Sequence, residues 1–83
     1  MTVQQQYSTP TANDVYRKII EISSGYIDPR TPIFINIISR EFYANPDMMM
    51  PLINQLVDLR LIKYTEKTRE SVRLTFLGMN VSR

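Results

Sequence analysis

The side chains best suited to chemistry in this sequence are basic, and most of them lie near its end. Residues 60–83 contain six basic and two acidic side chains, whereas residues 1–59 contain four basic and six acidic ones. Lys and Arg bind phosphate groups through charge and hydrogen bonding. This asymmetry predicts contacts with an anionic partner near the C-terminal end. The residues expected to make them are Arg60, Lys63, Lys67, Arg69 and Arg73.

The sequence contains no histidine and no cysteine. Ser–His and Cys–His nucleophile pairs, His-ligated metals and zinc–thiolate clusters all need these residues and are therefore excluded. The acidic residues stand singly among basic or polar neighbours, a spacing that does not favour a pair of carboxylates for acid–base catalysis. We expect a protein without enzymatic activity, metal, cofactor or small-molecule ligand.

The first part of the chain predicts an arm followed by a helix. Residues 1–10 lack hydrophobic periodicity and are expected to form a flexible N-terminal arm, which leaves one domain at residues 11–83. Thr11 and Asp14 have the spacing of a capping box, with Asp in place of Glu, and predict the start of the first helix. Gly25 is expected to follow its end as a C′ residue.

Two further helices are predicted after proline-containing turns. Thr31-Pro32 resembles an N-cap followed by a first-turn proline, so the second helix is expected to run from there to about Tyr43. Its isoleucines would also suit a strand, so this assignment depends on the Thr-Pro start. Asp47 is expected to cap the third helix, which can accommodate Pro51 near its beginning. The apolar stripe of this helix would be Met49, Leu52, Ile53, Leu56 and Leu59.

The spacing of apolar residues changes to two after Leu61, which predicts a β-hairpin with residues 66–70 as its loop. The second strand is expected to continue to Phe76. Symmetry about Thr68 predicts the cross-strand pairs Ile62–Leu74, Tyr64–Val72 and Lys63–Arg73. The last pair places two like charges opposite each other, and either an anion such as phosphate or separation of the side chains in water would relieve the repulsion.

Three helices followed by a hairpin with a basic loop resemble the winged helix-turn-helix superfamily, particularly its small bacterial, archaeal and phage members. Residues 56–62 (LVDLRLI) are similar to the family's L-x-x-L-G-L-I end of the recognition helix. Residues 72–78 (VRLTFLG) are similar to its Y-x-L-T-x-x-G return strand. Arg60 stands where the family usually has Gly, which predicts either a left-handed backbone at a non-Gly residue or an altered connection to the strand. The resemblance implies an α+β fold with three helices followed by a two-stranded β-hairpin wing.

The resemblance also implies duplex DNA binding, with the third helix in the major groove and the wing against the backbone or minor groove. Asn54 and Gln55 lie outside the apolar stripe of this helix and carry amides that can pair with adenine, although such residues are also common on ordinary helix surfaces. The basic hairpin side chains would contact phosphates. A small cytoplasmic transcriptional regulator, or a plasmid- or phage-type accessory protein, is then expected.

The start of the third helix favours a different partner. Met48 and Met50 flank a core residue, and methionines are adaptable apolar groups of the kind found on protein-binding surfaces. Tyr16 and Ile20 widen the apolar face of the first helix, which a homodimer or another protein could cover. A winged-helix protein-interaction module is therefore the alternative. No apolar stretch reaches the roughly 20 residues of a membrane span, so no membrane partner is expected.

Overall fold

Residues 10–81 are described by a computed structural model, and residues 1–9 of the predicted arm lie outside them. The described residues form an α+β fold, which confirms the predicted class. Its elements are α1 (Ala12–Ser23), β1 (Ile33–Phe34), α2 (Ile35–Glu41), α3 (Pro46–Asp58), β2 (Ile62–Tyr64), β3 (Ser71–Leu74) and α4 (Phe76–Val81). The strands form one antiparallel sheet in the order β1-β3-β2. Within residues 10–81, β1 and α4 add to the three helices and two strands that were predicted.

Helix α1 begins with the predicted capping box. The Asp14 amide donates to Oγ1 of Thr11 at 3.1 Å, and the Thr11 amide donates to Oδ2 of Asp14 at 2.9 Å. Ser24 is the C-cap. Gly25 follows it as predicted, but without the left-handed backbone typical of a C′ glycine.

The segment at Ile33–Phe34 is a strand, so the prediction that the second helix begins at Thr31-Pro32 was wrong. Ile33 pairs with Val72 of β3. The Thr31 hydroxyl closes a turn by donating to the Asp28 carbonyl oxygen at 2.6 Å and does not cap a helix. The edge of β3 supplies backbone partners for the β-branched segment, and this long-range pairing outweighs the local Thr-Pro signal.

Helix α2 is consequently short. It begins at Ile35, whose amide donates to the Glu70 carbonyl oxygen at 2.9 Å, and it ends at Glu41. Tyr43, the predicted end, adopts a left-handed backbone with φ of 53°. The Tyr43 amide donates to the Arg40 carbonyl oxygen, one of the bonds that close a helix C-terminus of this kind.

Helix α3 is capped by Asn45, not by Asp47 as predicted. Oδ1 of Asn45 accepts a hydrogen bond from the Asp47 amide at 2.8 Å, and Pro46 occupies the first helical position. Pro51 therefore lies deeper in the helix than predicted and removes one backbone hydrogen bond. Leu59, predicted as core, is the C-cap and is 60% exposed.

The β2–β3 hairpin has the predicted register, with the pairs Ile62–Leu74, Lys63–Arg73 and Tyr64–Val72. Strand β3 ends at Leu74, earlier than predicted, and Phe76 begins α4 with its side chain 79% exposed. The Thr75 hydroxyl accepts a hydrogen bond from the Gly78 amide at 3.0 Å. This bond caps the new helix, so the chain turns away from the sheet at Thr75.

The two segments that carry the family resemblance contact each other. The Thr75 hydroxyl donates to the Arg60 carbonyl oxygen at 2.5 Å, and the Thr75 amide donates to the Leu61 carbonyl oxygen at 3.1 Å. Arg60 has a φ of 65°, so of the two predicted alternatives the left-handed backbone at a non-Gly residue is the one observed. The Leu61 amide bonds to the Leu56 carbonyl oxygen in the pattern of a Schellman motif.

The core lies between the helices and one face of the sheet. Its buried hydrophobic residues are Val15, Tyr16, Ile19, Ile33, Ile35, Ile38, Met49, Ile53, Leu56, Ile62, Val72 and Leu74. Residues 10–81 include no helix with the length and apolar character needed to cross a bilayer.

Candidate nucleic-acid interface

Tyr64 connects helix α3 to the basic loop of the hairpin. Its hydroxyl donates a hydrogen bond to Oδ1 of Asn54 on α3. The guanidinium carbon of Arg69 lies 5.3 Å from the centroid of the Tyr64 ring, within the range of a cation–π interaction. The base-reading candidate Asn54 and the phosphate-binding candidate Arg69 are therefore neighbours of one aromatic side chain.

The surroundings of the Tyr64 hydroxyl favour its neutral form. Partial burial raises the pKa of Tyr64 above its ordinary value, the Arg69 charge opposes this shift, and the Asp58 carboxylate adds to it. A neutral phenol can donate its proton to Asn54, whereas a phenolate could not. The bond orients the Asn54 amide, whose NH₂ group donates no hydrogen bond among residues 10–81 and so can bind a ligand.

The loop between β2 and β3 brings further charge to this side of the hairpin. Arg69 adopts a left-handed backbone with φ of 59°, and its amide donates to the Glu66 carbonyl oxygen at 3.1 Å. Lys67 is exposed in the same loop, and Gln55 is exposed on α3 next to Asn54. The structure therefore brings Arg69 next to the side of α3 that carries Asn54, with the exposed Lys67 in the same loop.

Lys63 and Arg73 do not join this surface. Residues on either side of them in the strands, such as Ile62 and Leu74, are buried against the helices. Because side chains alternate between the two faces of a sheet, Lys63 and Arg73 point to the face opposite α3. The prediction grouped all the hairpin cations together, but the sheet divides them between two surfaces.

Arg30 is a basic residue that was not predicted to belong to any site. It lies in the loop between α1 and β1 and lines a cavity of about 150 Å³ together with Lys63 and Arg73. The unpredicted pairing of β1 with β3 brings this loop to the sheet. No periodicity near Arg30 could have indicated it, because the contact depends on a long-range strand pair.

Arg60 lies at the turn between α3 and β2, apart from the loop cations. Its side chain is exposed, and its carbonyl oxygen is held by the Thr75 hydroxyl. In this structure the backbone of Arg60 therefore forms part of the connection between α3 and β2.

The start of α3 borders a groove lined by both apolar and charged residues. Met48 is 65% exposed, and the half-buried Met50 lines a cavity of about 300 Å³ with Phe34 and Pro46. The charged residues Asp47, Arg69 and Glu70 also line this cavity. The groove is therefore adjacent to the Tyr64 contact and shares Arg69 with it.

Tyr16 does not belong to an exposed interaction surface, contrary to the prediction. It is 6% exposed, and its hydroxyl donates to the Gly78 carbonyl oxygen. This hydrogen bond attaches Tyr16 of α1 to the unpredicted helix α4. Ile20 is half-buried and lines a cavity with Tyr16 and Val81.

No family model matches this sequence, and neither a curated protein nor a solved structure matches it. Among residues 10–81, no group of three acidic side chains is placed to hold a metal ion. The proposed function therefore rests on how the side chains of Tyr64, Asn54 and Arg69 are placed.

Proposed function

We propose that this chain is a winged helix-turn-helix protein that binds duplex DNA and acts without catalysis, as a small cytoplasmic regulator or accessory protein. Helix α3 would lie in the major groove, and the β2–β3 hairpin would be the wing. One observation carries the proposal: Tyr64 contacts both Asn54 and Arg69. An amide able to read bases and a cation able to bind phosphate thus lie on one surface.

The order of elements supports the winged-helix assignment. Helices α1, α2 and α3 precede the hairpin, as in the resemblance. The bonds from Thr75 to Arg60 and Leu61 give a structural reason for the two similar sequence segments. Strand β1 extends the hairpin to a three-stranded sheet, and α4, which follows β3, is hydrogen-bonded to α1 through Tyr16 and Gly78.

The division of the cations narrows the proposed DNA surface. Lys67 and Arg69 would bind backbone phosphates, which contribute affinity without sequence preference. Asn54 and Gln55 would lie nearest the base edges, where an amide can bond to adenine through its donor and acceptor. Lys63 and Arg73 lie on the opposite face of the sheet and are not part of this surface.

The test is fluorescence anisotropy of a labelled duplex of mixed sequence, measured across a salt series. The double variant Lys67→Gln/Arg69→Gln should bind all sequences more weakly. Its plot of log affinity against log salt should be flatter by about 0.9 for each phosphate that the variant no longer binds.

The matched control is Arg17→Gln/Arg40→Gln, which removes the same charge from exposed positions on α1 and α2. It should retain the affinity and the salt slope apart from a small general charge effect. Absence of binding by the unmodified chain, or an equal loss in both double variants, would contradict the proposal.

A second candidate function is a protein-interaction module, favoured by the exposed Met48 beside the groove that Phe34 and Met50 line. With a purified partner, Met48→Glu and Met50→Glu should abolish capture, whereas Tyr26→Glu, in a loop, should not. Capture that survives both methionine substitutions would rule out this groove as the docking site.

A further inference from the structure

The outer face of the sheet carries a group of cations that we call the outer-face cluster: Arg30, Lys63 and Arg73. Lys63 and Arg73 are directly paired across β2 and β3, and Arg30 reaches the same cavity from the α1–β1 loop. The remaining lining residues are Leu74, Thr75 and Phe76, so the cavity wall contains no carboxylate.

The charge of Lys63 and Arg73 is not compensated within the described chain. Within residues 10–81 the ion pairs are Lys18–Glu21, Lys18–Glu41 and Arg30–Asp28. No described carboxylate therefore lies within 4.0 Å of Lys63 or Arg73. Like charges directly opposite each other on a strand pair are destabilising, so an anion at this position would relieve a cost.

Arg30 is positioned by its own local contacts. Its amide donates to Oδ1 of Asp28 at 2.9 Å, and its Nε lies 3.7 Å from the same oxygen. Among residues 10–81, no hydrogen bond is donated by the terminal guanidinium nitrogens of Arg30. The terminal nitrogens keep donors that can bind a second anion.

We propose that the outer-face cluster binds a phosphate group. Two guanidinium groups and an ammonium group offer the planar, two-point hydrogen bonding and the charge that phosphate oxygens accept. The cavity, about 150 Å³, is smaller than the roughly 300–1,000 Å³ of pockets that enclose whole organic ligands. A single phosphate group fits this size, and the rest of its molecule would remain outside.

The neutral groups around the cavity agree with this assignment. The Thr75 hydroxyl donates to the Arg60 carbonyl oxygen and accepts from the Gly78 amide. Its proton is therefore not available to a ligand in the cavity. Phe76 is 79% exposed and provides an apolar ring beside the cations. The cations therefore supply the hydrogen bonds, and the aromatic ring can contact whatever carries the phosphate.

The phosphate can come from a nucleic-acid backbone or from free phosphate and small phosphorylated molecules. The first source rests on the proposed DNA-binding function, with the outer-face cluster contacting a part of the backbone that α3 does not reach. The binding of phosphate itself does not depend on that function. Separate experiments can therefore test the two.

The first experiment titrates the full chain with inorganic phosphate and, at equal ionic strength, with chloride, while NMR records the backbone amides. Phosphate should produce saturable shifts at Arg30, Lys63 and Arg73 that chloride does not. Lys63→Gln/Arg73→Gln should abolish them, whereas Lys67→Gln/Arg69→Gln, which removes the same charge from the loop, should retain them. Equal effects of phosphate and chloride, or saturable shifts that persist in Lys63→Gln/Arg73→Gln, would overturn the proposal.

The second experiment identifies the source of the phosphate. If the cluster binds a DNA backbone, Lys63→Gln/Arg73→Gln should weaken duplex binding and flatten the salt slope by about 0.9 per phosphate released. If it binds phosphate in the first experiment but leaves duplex binding unchanged, its ligand is a free phosphate or a phosphorylated small molecule. Duplex binding by the loop variant Lys67→Gln/Arg69→Gln tests the proposed DNA-binding function only. Its outcome does not change what the first experiment shows about phosphate binding by the outer-face cluster.

Discussion

Gly78 packs so closely against Leu61 that a Cβ atom on Gly78 would lie 1.9 Å from the Leu61 carbonyl oxygen. The φ of Gly78 is not positive. Glycine is therefore needed at this position because there is no room for a Cβ atom, and not because the backbone is left-handed. The close approach holds α4 against the connection between α3 and β2. Because the hairpin begins at this connection, the contact helps to set the hairpin's position relative to α3.

Gly78→Ala should destabilise the domain. The new methyl group would meet backbone atoms that cannot rotate away, and overpacking of this kind costs about 1–3 kcal/mol. Each kcal/mol lowers the Tm of a domain of this size by about 4–8 °C. The control is Gly25→Ala, whose Cβ would lie 3.4 Å from its nearest neighbour, the Ile22 carbonyl oxygen. Equal Tm values for the two variants, measured by circular dichroism, would contradict the close approach.

Arg60→Gly should stabilise the domain by about 1 kcal/mol, because a left-handed backbone is costly for residues with a Cβ atom and not for Gly. The side chain of Arg60 is exposed, so little packing is removed. Arg17→Gly, on the exposed face of α1, should instead destabilise by about 1 kcal/mol. Urea denaturation measures both changes, and a loss of stability in Arg60→Gly would count against the assigned backbone conformation.

Tyr16→Phe should lower the free energy of unfolding by about 1–3 kcal/mol, because it leaves the buried Gly78 carbonyl oxygen without its partner. Tyr26→Phe, at a more exposed tyrosine, should change it by less than about 0.5 kcal/mol. Denaturant titration of both variants tests whether α4 is attached to α1 through this hydrogen bond. Similar values for the two substitutions would show that it is not.

Tyr64 should titrate above its ordinary pKa of 10.0, because burial disfavours its charged form. The folded state then favours the neutral phenol. The stability that this preference adds is fully present below the pKa that Tyr64 has in the unfolded chain. It is lost as pH rises through the pKa that Tyr64 has in the folded protein. Arg69→Gln should raise the pKa of Tyr64 further, since the Arg69 charge lowers it. NMR titration of the Tyr64 ring measures this pKa in both proteins. A lower Tyr64 pKa in Arg69→Gln would contradict the cation–π contact between Arg69 and Tyr64.

Local patterns in the sequence were sufficient for several elements. The capping box of Thr11 and Asp14 and the register of Lys63 with Arg73 were both predicted, because each depends on residue types at short, regular spacing. The left-handed backbone of Arg60 was one of two alternatives predicted from the Arg that stands where the similar family segment has Gly. The sequence by itself therefore determined the α+β class and the hairpin register.

Only the tertiary structure decided which residues share a surface. Ile33 lies in a strand because its backbone pairs with β3, and that pairing brings Arg30 to the sheet. Tyr16 is buried, and its hydroxyl is hydrogen-bonded to Gly78 in the helix that Thr75 caps. The alternating faces of the sheet then placed Lys63 opposite the surface that holds Asn54. These contacts join residues far apart in the chain, and short-range spacing carries no information about them.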